Sequence, residues 1–149
     1  MKRAYVVDAA RTAVGKFGGT LASQRPDDLA AEVIKSLIDR NPSIDPSDIE
    51  DVLLGAANQA GEDNRNVARM SLLLAGLPHT VPGLTINRLC ASSLQAIADV
   101  SKNIAVGYGD VYLAGGVESM SRAPFVLSKS ETAFSRTNKI YDTSIGWSF

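Results

Sequence analysis

Four short apolar runs separated by three amphipathic segments dominate the chain, and that alternation restricts it to folds in which strands are joined by helical crossovers. The runs occupy residues 4–9, 51–56, 83–88 and 110–116. Over 27–40, Leu29, Ala30, Val33, Ile34, Leu37 and Ile38 recur at helical spacing, with Glu32, Lys35, Ser36 and Asp39 on the other side. Pro26-Asp27-Asp28 supplies the start of that helix and Asn41-Pro42 its stop. Asp45-Pro46-Ser47-Asp48 then predicts a single turn. A second helix is predicted over 65–75, closed by Gly76 and Pro78. A third, largely buried, is predicted from Cys90 to near Gly107 on Leu94, Ile97, Ala98, Ile104 and Ala105. The order β-α-β-α-β-α-β, with right-handed crossovers, implies a layered α/β fold: a mostly parallel sheet with helices on both faces.

The chain has 149 residues, and its 15 Lys+Arg against 16 Asp+Glu give a net charge of −1 without any block of one sign. That excludes the electrostatic footprint of a nucleic-acid or anionic-membrane partner. The longest uncharged stretch, 70–87, is broken by Gly76, Pro78, Pro82 and Gly83, so it does not read as a membrane span. Asp8 and Arg11 interrupt the apolar run behind Lys2-Arg3 before it reaches the length of a signal peptide. The single cysteine, Cys90, excludes an intrachain disulfide, and no cluster of cysteine and histidine offers a metal site. This composition fits a reducing, cytoplasmic compartment. Periodicity fades after Ser121 into a polar stretch, 128–139, and the sequence closes on Ile145-Gly146-Trp147-Ser148-Phe149. That tail reads as unfinished, packing against something further on.

Glycine-rich strand exits invite a nucleotide, but Gly15-Lys16-Phe17-Gly18-Gly19 has neither the dinucleotide spacing nor a Ser or Thr behind the lysine, and no bound cofactor is expected. Cys90 is the sharper feature. It falls where a strand gives way to a helix, so that free backbone N–H groups and the positive helix end face it at the carboxyl edge of the sheet. Such an elbow suits acyl transfer, although a free cysteine is more often a small buried hydrophobe. The one histidine, His79, lies eleven positions upstream, and the intervening extended run separates the two by roughly 20 Å, so it reads as a loop residue rather than a base. Gly115-Gly116, at the exit of the last strand, permits close backbone approach.

The run Thr85-Ile86-Asn87-Arg88-Leu89-Cys90-Ala91-Ser92-Ser93-Leu94-Gln95 resembles the nucleophile region of thiolases, the acetyl-CoA C-acyltransferases. The resemblance extends in order along the chain. It takes in Arg11-Thr12, the 15–19 loop, Arg25-Pro26-Asp27-Asp28-Leu29, residues 61–69, Gly115-Gly116-Val117-Glu118-Ser119-Met120-Ser121 and Asp142-Thr143-Ser144-Ile145-Gly146-Trp147. Some stretches look most like the degradative and 3-oxoadipyl-CoA branches, while Ala91-Ser92-Ser93-Leu94-Gln95 is closer to the general degradative form. Acyl-chain choice and direction of reaction stay open.

The resemblance implies that Cys90 attacks a 3-oxoacyl-CoA, carries the acyl group as a thioester and hands it to coenzyme A, or runs the reverse condensation of acetyl-CoA. The Cys90 N–H would hold the thioester oxyanion. Asn87, Arg88, Ser92, Gly115, Gly116 and Glu118 would shape the site around it. Acyl-CoA is then a substrate, fatty acid metabolism the setting, and a homo-oligomer the assembly. The family's chains are longer, and their Asn-Glu-Ala-Phe segment, Gly-His-Pro histidine and second cysteine in Cys-x-Gly do not occur here. By this resemblance the sequence reads as the amino-terminal portion of such an enzyme, with residues 1–120 as its α/β domain lacking a last strand and residues 121–149 opening its loop domain, and as inactive by itself. A ketoacyl synthase-like condensing enzyme and a non-catalytic assembly fragment are the alternative readings.

Overall fold

The computed structural model describes residues 1–63, 65–134 and 139–144. Helix α1, Pro26–Arg40, begins on a proline with Asp27 and Asp28 in its first turn and ends with Arg40 in its last, as the helix dipole favours. Arg25 grips the buried Asp27 through Nε and Nη2 at 3.0 and 2.7 Å, and the Asn41 amide closes the far end on the Leu37 carbonyl. Strand β1, Ile49–Gly55, follows a short 3-10 turn at Pro46–Asp48. Helix α2, Val67–Leu74, is capped by Asn66, whose side chain accepts from the Arg69 N–H. Strand β2, Gly83–Ile86, helix α3, Ser92–Val106, and strand β3, Val111–Gly116, complete the layered part. Helix α3 stops at Gly107, whose φ of 81° places it in the left-handed region where glycine is favoured.

The sheet has the order β2-β1-β3 with all neighbours parallel, so β1 is central and both crossovers are helical. Alternation along β1 splits the core. Val52, Leu54 and Ala56 pack with Ala30, Ile34, Val67, Ala68 and Leu72 under α1 and α2, while Leu53 turns to Ala96 and Val100 of α3. The expected layered α/β fold with helices on both faces is thus what the chain adopts.

Three expectations require correction. Residues 4–9 form no strand: Tyr5, Val6 and Val7 stay 75%, 84% and 75% exposed, because no described segment offers them a ladder and β-structure exists only by pairing. Those first residues are fastened at two places, by Lys2 on the Ala105 carbonyl and on Asp110, and by Asp8 on Arg40 and Asn41. Helix α3 is half-buried rather than largely buried. It starts at Ser92, and its Leu94 and Ile97 face away from the sheet. The segment after Ser121 does hold structure, an antiparallel pair of β4, Phe125–Leu127, and β5, Ile140–Asp142. Residues 135–138 and the closing 145–149 stretch lie outside the described residues.

Candidate active site at the carboxyl edge of the sheet

The parallel strands end together, and the segments leaving them are tied to one another before they diverge. Ala56 N–H donates to the Ile86 carbonyl at 3.1 Å, and Val117 N–H donates to the Gly55 carbonyl at 3.0 Å. Two glycines make the approach of α3 possible. A β-carbon on Gly55 would stand 2.4 Å from the Ser92 carbonyl carbon and from the Ser93 nitrogen. One on Gly116 would stand 2.0 Å from Ser93 Oγ and 2.7 Å from the Gly55 carbonyl. The start of α3 is therefore pressed by its backbone onto the end of β1 and by the Ser93 side chain onto the end of β3. Gly115 differs from its neighbour: an added β-carbon there would make only an ordinary 3.6 Å contact with Leu54.

Between β2 and α3 the chain makes a tight elbow. Leu89 is held at φ 50°, a left-handed conformation that costs a non-glycine residue about 1 kcal/mol. The buried Ser92 hydroxyl spans it, accepting from the Arg88 N–H at 2.8 Å and donating to the Leu89 carbonyl at 2.6 Å. On the other side, Asn87 Oδ1 accepts from the Leu89 N–H at 3.0 Å while its Nδ2 donates to the Ala57 carbonyl at 2.9 Å. Cys90 follows immediately, exposed and reduced, one residue before Ala91 caps α3. The side chains of Asn87, Arg88 and Cys90 are all accessible at this edge, whereas Ser92 is inside it.

Glu118 reaches back from the end of β3 to the loop after β1, where its two carboxylate oxygens accept from the Ala57 and Asn58 N–H groups at 2.7 and 3.3 Å. Asn58 in turn donates through Nδ2 to the carbonyl of buried Thr143 at 2.9 Å, and Thr143 Oγ1 donates to the Pro124 carbonyl at 2.5 Å, seating the β4–β5 ribbon on the same loop. His79 lies in the turn before β2, where its carbonyl accepts from Arg69.

Sequence reasoning missed several residues at this edge. Gly55 is one. Its only trace was a glycine closing an apolar run. A second group is ionic: Arg122 forks Glu62 and reaches the Ser23 carbonyl, and Arg25 approaches Glu62 at 3.7 Å, tying the 22–25 strap to two loops. The Glu62 carboxyl is held below its ordinary value by its bonds to Arg122. Next to it Asp63 is buried. Desolvation, then the charge of Glu118, push its carboxyl up to about 6, with Asp27 and Glu62 adding to the effect and a bond from the Gln59 backbone opposing it. Gln59 and Arg65 share the left-handed backbone of Leu89, with φ of 53° and 63°, so backbone strain among the described residues gathers in the loops leaving β1 and β2.

Parallel strands converging on a strained strand-to-helix elbow that exposes a cysteine define a layered α/β domain whose carboxyl edge is open to a ligand. Residues 4–146 match the family model described as "Thiolase, N-terminal domain", and the chain belongs to that family. It is 58% identical over 148 residues to the beta-ketoadipyl-CoA thiolase of Pseudomonas knackmussii, covering 99% of this chain and 37% of that protein. Identity is 57% over 149 residues to the 3-oxoadipyl-CoA/3-oxo-5,6-dehydrosuberyl-CoA thiolase of Escherichia coli, with 100% and 37% of the two chains covered. Among solved structures, the acetyl-CoA acetyltransferase of Bacillus anthracis matches with a TM-score of 0.79 and 38% identity, over 87% of this chain and 32% of that one. The chain thus spans about 37% of the length of the curated relatives it matches.

Proposed function

We propose that this chain carries the nucleophile of a thiolase-type acyltransferase that cleaves a 3-oxoacyl-CoA, with Cys90 as the acyl acceptor. The observation that carries the proposal is the elbow, which exposes Cys90 at the carboxyl edge of the sheet and holds it there from both sides through Ser92 and Asn87. In the proposed reaction the Cys90 thiolate adds to the 3-oxo carbon and the bond between C2 and C3 breaks. Acetyl-CoA leaves after its C2 takes up a proton, and the remaining acyl group stays on Sγ as a thioester. The thiol of coenzyme A then displaces Cys90, giving a shortened acyl-CoA and the free cysteine. The Cys90 N–H, two residues ahead of α3, is the proposed donor to the oxyanion. Beta-ketoadipyl-CoA, named for relatives, makes a 3-oxoacyl-CoA ending in a free carboxylate the proposed substrate of the longer protein.

The proton transfers need an acid and a base, and Cys90 is the one cysteine and His79 the one histidine of this sequence. The proposal therefore gives this chain acyl acceptance without turnover, and places turnover, a cytoplasmic homo-oligomer and a role in fatty acid metabolism with a longer protein. Intact mass of the 149-residue chain after incubation with acetyl-CoA, whose acyl group passes to Cys90 by thiol exchange without carbon–carbon cleavage, tests it, with Cys90→Ala as control. An acyl adduct that is absent from Cys90→Ala is expected. A folded chain that takes no adduct, or one whose adduct survives Cys90→Ala, overturns the assignment.

A further inference from the structure

We infer that Glu118 is a positioning residue for the Cys90 elbow, acting through the Ala57–Asn58 backbone and the Asn87 side chain. The inference rests on the proposed role of Cys90. The contacts form one unbroken series. Glu118 accepts from the N–H groups of Ala57 and Asn58, the Ala57 carbonyl accepts from Asn87 Nδ2, and Asn87 Oδ1 accepts from the Leu89 N–H at the left-handed residue next to Cys90. Neither Glu118 nor Asn87 is buried, so packing does not fix either of them and the hydrogen bonds do. A carboxylate is suited to the position because it has oxygens for two converging N–H donors and no donor of its own to misdirect. The series also crosses the sheet from the end of β3 over the loop after β1 to the exit of β2, so a residue 28 positions beyond Cys90 sets the backbone in front of the nucleophile.

Amide exchange at Leu89 and the pH profile of Cys90 alkylation by iodoacetamide, measured on the whole chain, read this series without any acyl chemistry. Glu118→Ala and Asn87→Ala are each expected to accelerate Leu89 exchange by roughly tenfold, the scale of one lost hydrogen bond, and to displace the alkylation profile in the same direction. Combined, they should do no more than either alone, because both cut the same series. Glu62→Ala, which breaks an ion pair on the same loop but not the series, should leave both readouts alone. Should Glu118→Ala fail to fold, Glu118→Gln serves, since it turns one acceptor into a donor facing an N–H. Additive effects, or wild-type exchange and alkylation in the folded Glu118 variant, would overturn the inference. Absence of the acetyl-CoA adduct with this coupling intact would instead count against Cys90 as nucleophile.

Discussion

Gly55 and Ser92 meet backbone to backbone: a β-carbon at residue 55 would sit 2.4 Å from the carbonyl carbon of residue 92. Neither partner is a flexible side chain, so Gly55→Ala can be accommodated only by lifting α3 from β1. It should cost at least 1–3 kcal/mol and unsettle the elbow. Gly116→Ala meets Ser93 Oγ and the Gly55 carbonyl instead. Ser93→Gly should rescue part of the Gly116→Ala loss and none of the Gly55→Ala loss in urea unfolding; equal rescue of both would refute the packing described.

The elbow gives a second prediction. Ser92→Ala removes the hydroxyl that serves both the Arg88 N–H and the Leu89 carbonyl, and should cost about 1–3 kcal/mol. Leu89→Val places a β-branched residue at φ 50° and should destabilise by about 1 kcal/mol or more, whereas Leu89→Gly should be nearly neutral because the relief of strain offsets the loss of chain stiffness. Thermal unfolding that ranks glycine below valine would contradict the conformation assigned to this residue.

Asp63 makes stability depend on pH in a particular sense. Its carboxyl titrates at about 6 in the folded chain, against 3.8 ordinarily, so the folded state holds the proton more tightly and stability declines as pH rises through that window. Asp63→Asn removes the decline. The variant should match the parent at pH 4 and exceed it by on the order of 1–3 kcal/mol at pH 7.5. Urea midpoints at the two values check this, and a gain of the same size at both would refute it.

Arg122 joins three surface segments, through Glu62 and through the carbonyl of Ser23, while Gly18 N–H donates to the neighbouring Ser121 at 2.9 Å. Arg122→Ala should free the 16–25 strap and raise the rate of tryptic cleavage at Lys16 well before the core is affected. The loss in global stability should be only about 1 kcal/mol, since the pair is partly exposed and screened. Cleavage at the parent's rate would show that the strap is held by other contacts.

The sequence made the layered part of this fold legible because each of its elements carries its own periodicity: α1 was expected over 27–40 and runs Pro26–Arg40, and β3 closes on Gly116 as expected. Residues 4–9 have the same apolar character as β1, but a strand is a relation between two backbones and no local pattern reports whether a partner arrives. The β4–β5 ribbon escaped notice for the opposite reason. Its strands are three residues each, too short for alternation, and what seats them is Thr143 on Asn58, 85 positions apart. At the site, Cys90 was visible from the elbow and from the family motif around it. Gly55 and the Glu118 contacts to Ala57 and Asn58 were not, because they depend on which strand ends lie side by side.

The two fastenings of the first ten residues have a consequence of their own. The charge pairs of exposed Lys2 with Asp110 and of half-buried Asp8 with Arg40 hold this arm, and the apolar core is not engaged by its Tyr5, Val6 and Val7. Such pairs weaken as ionic strength rises, while burial beneath α1 and α2 does not. The molecule consequently has two thresholds rather than one: salt unlatches the arm, and denaturant opens the sheet.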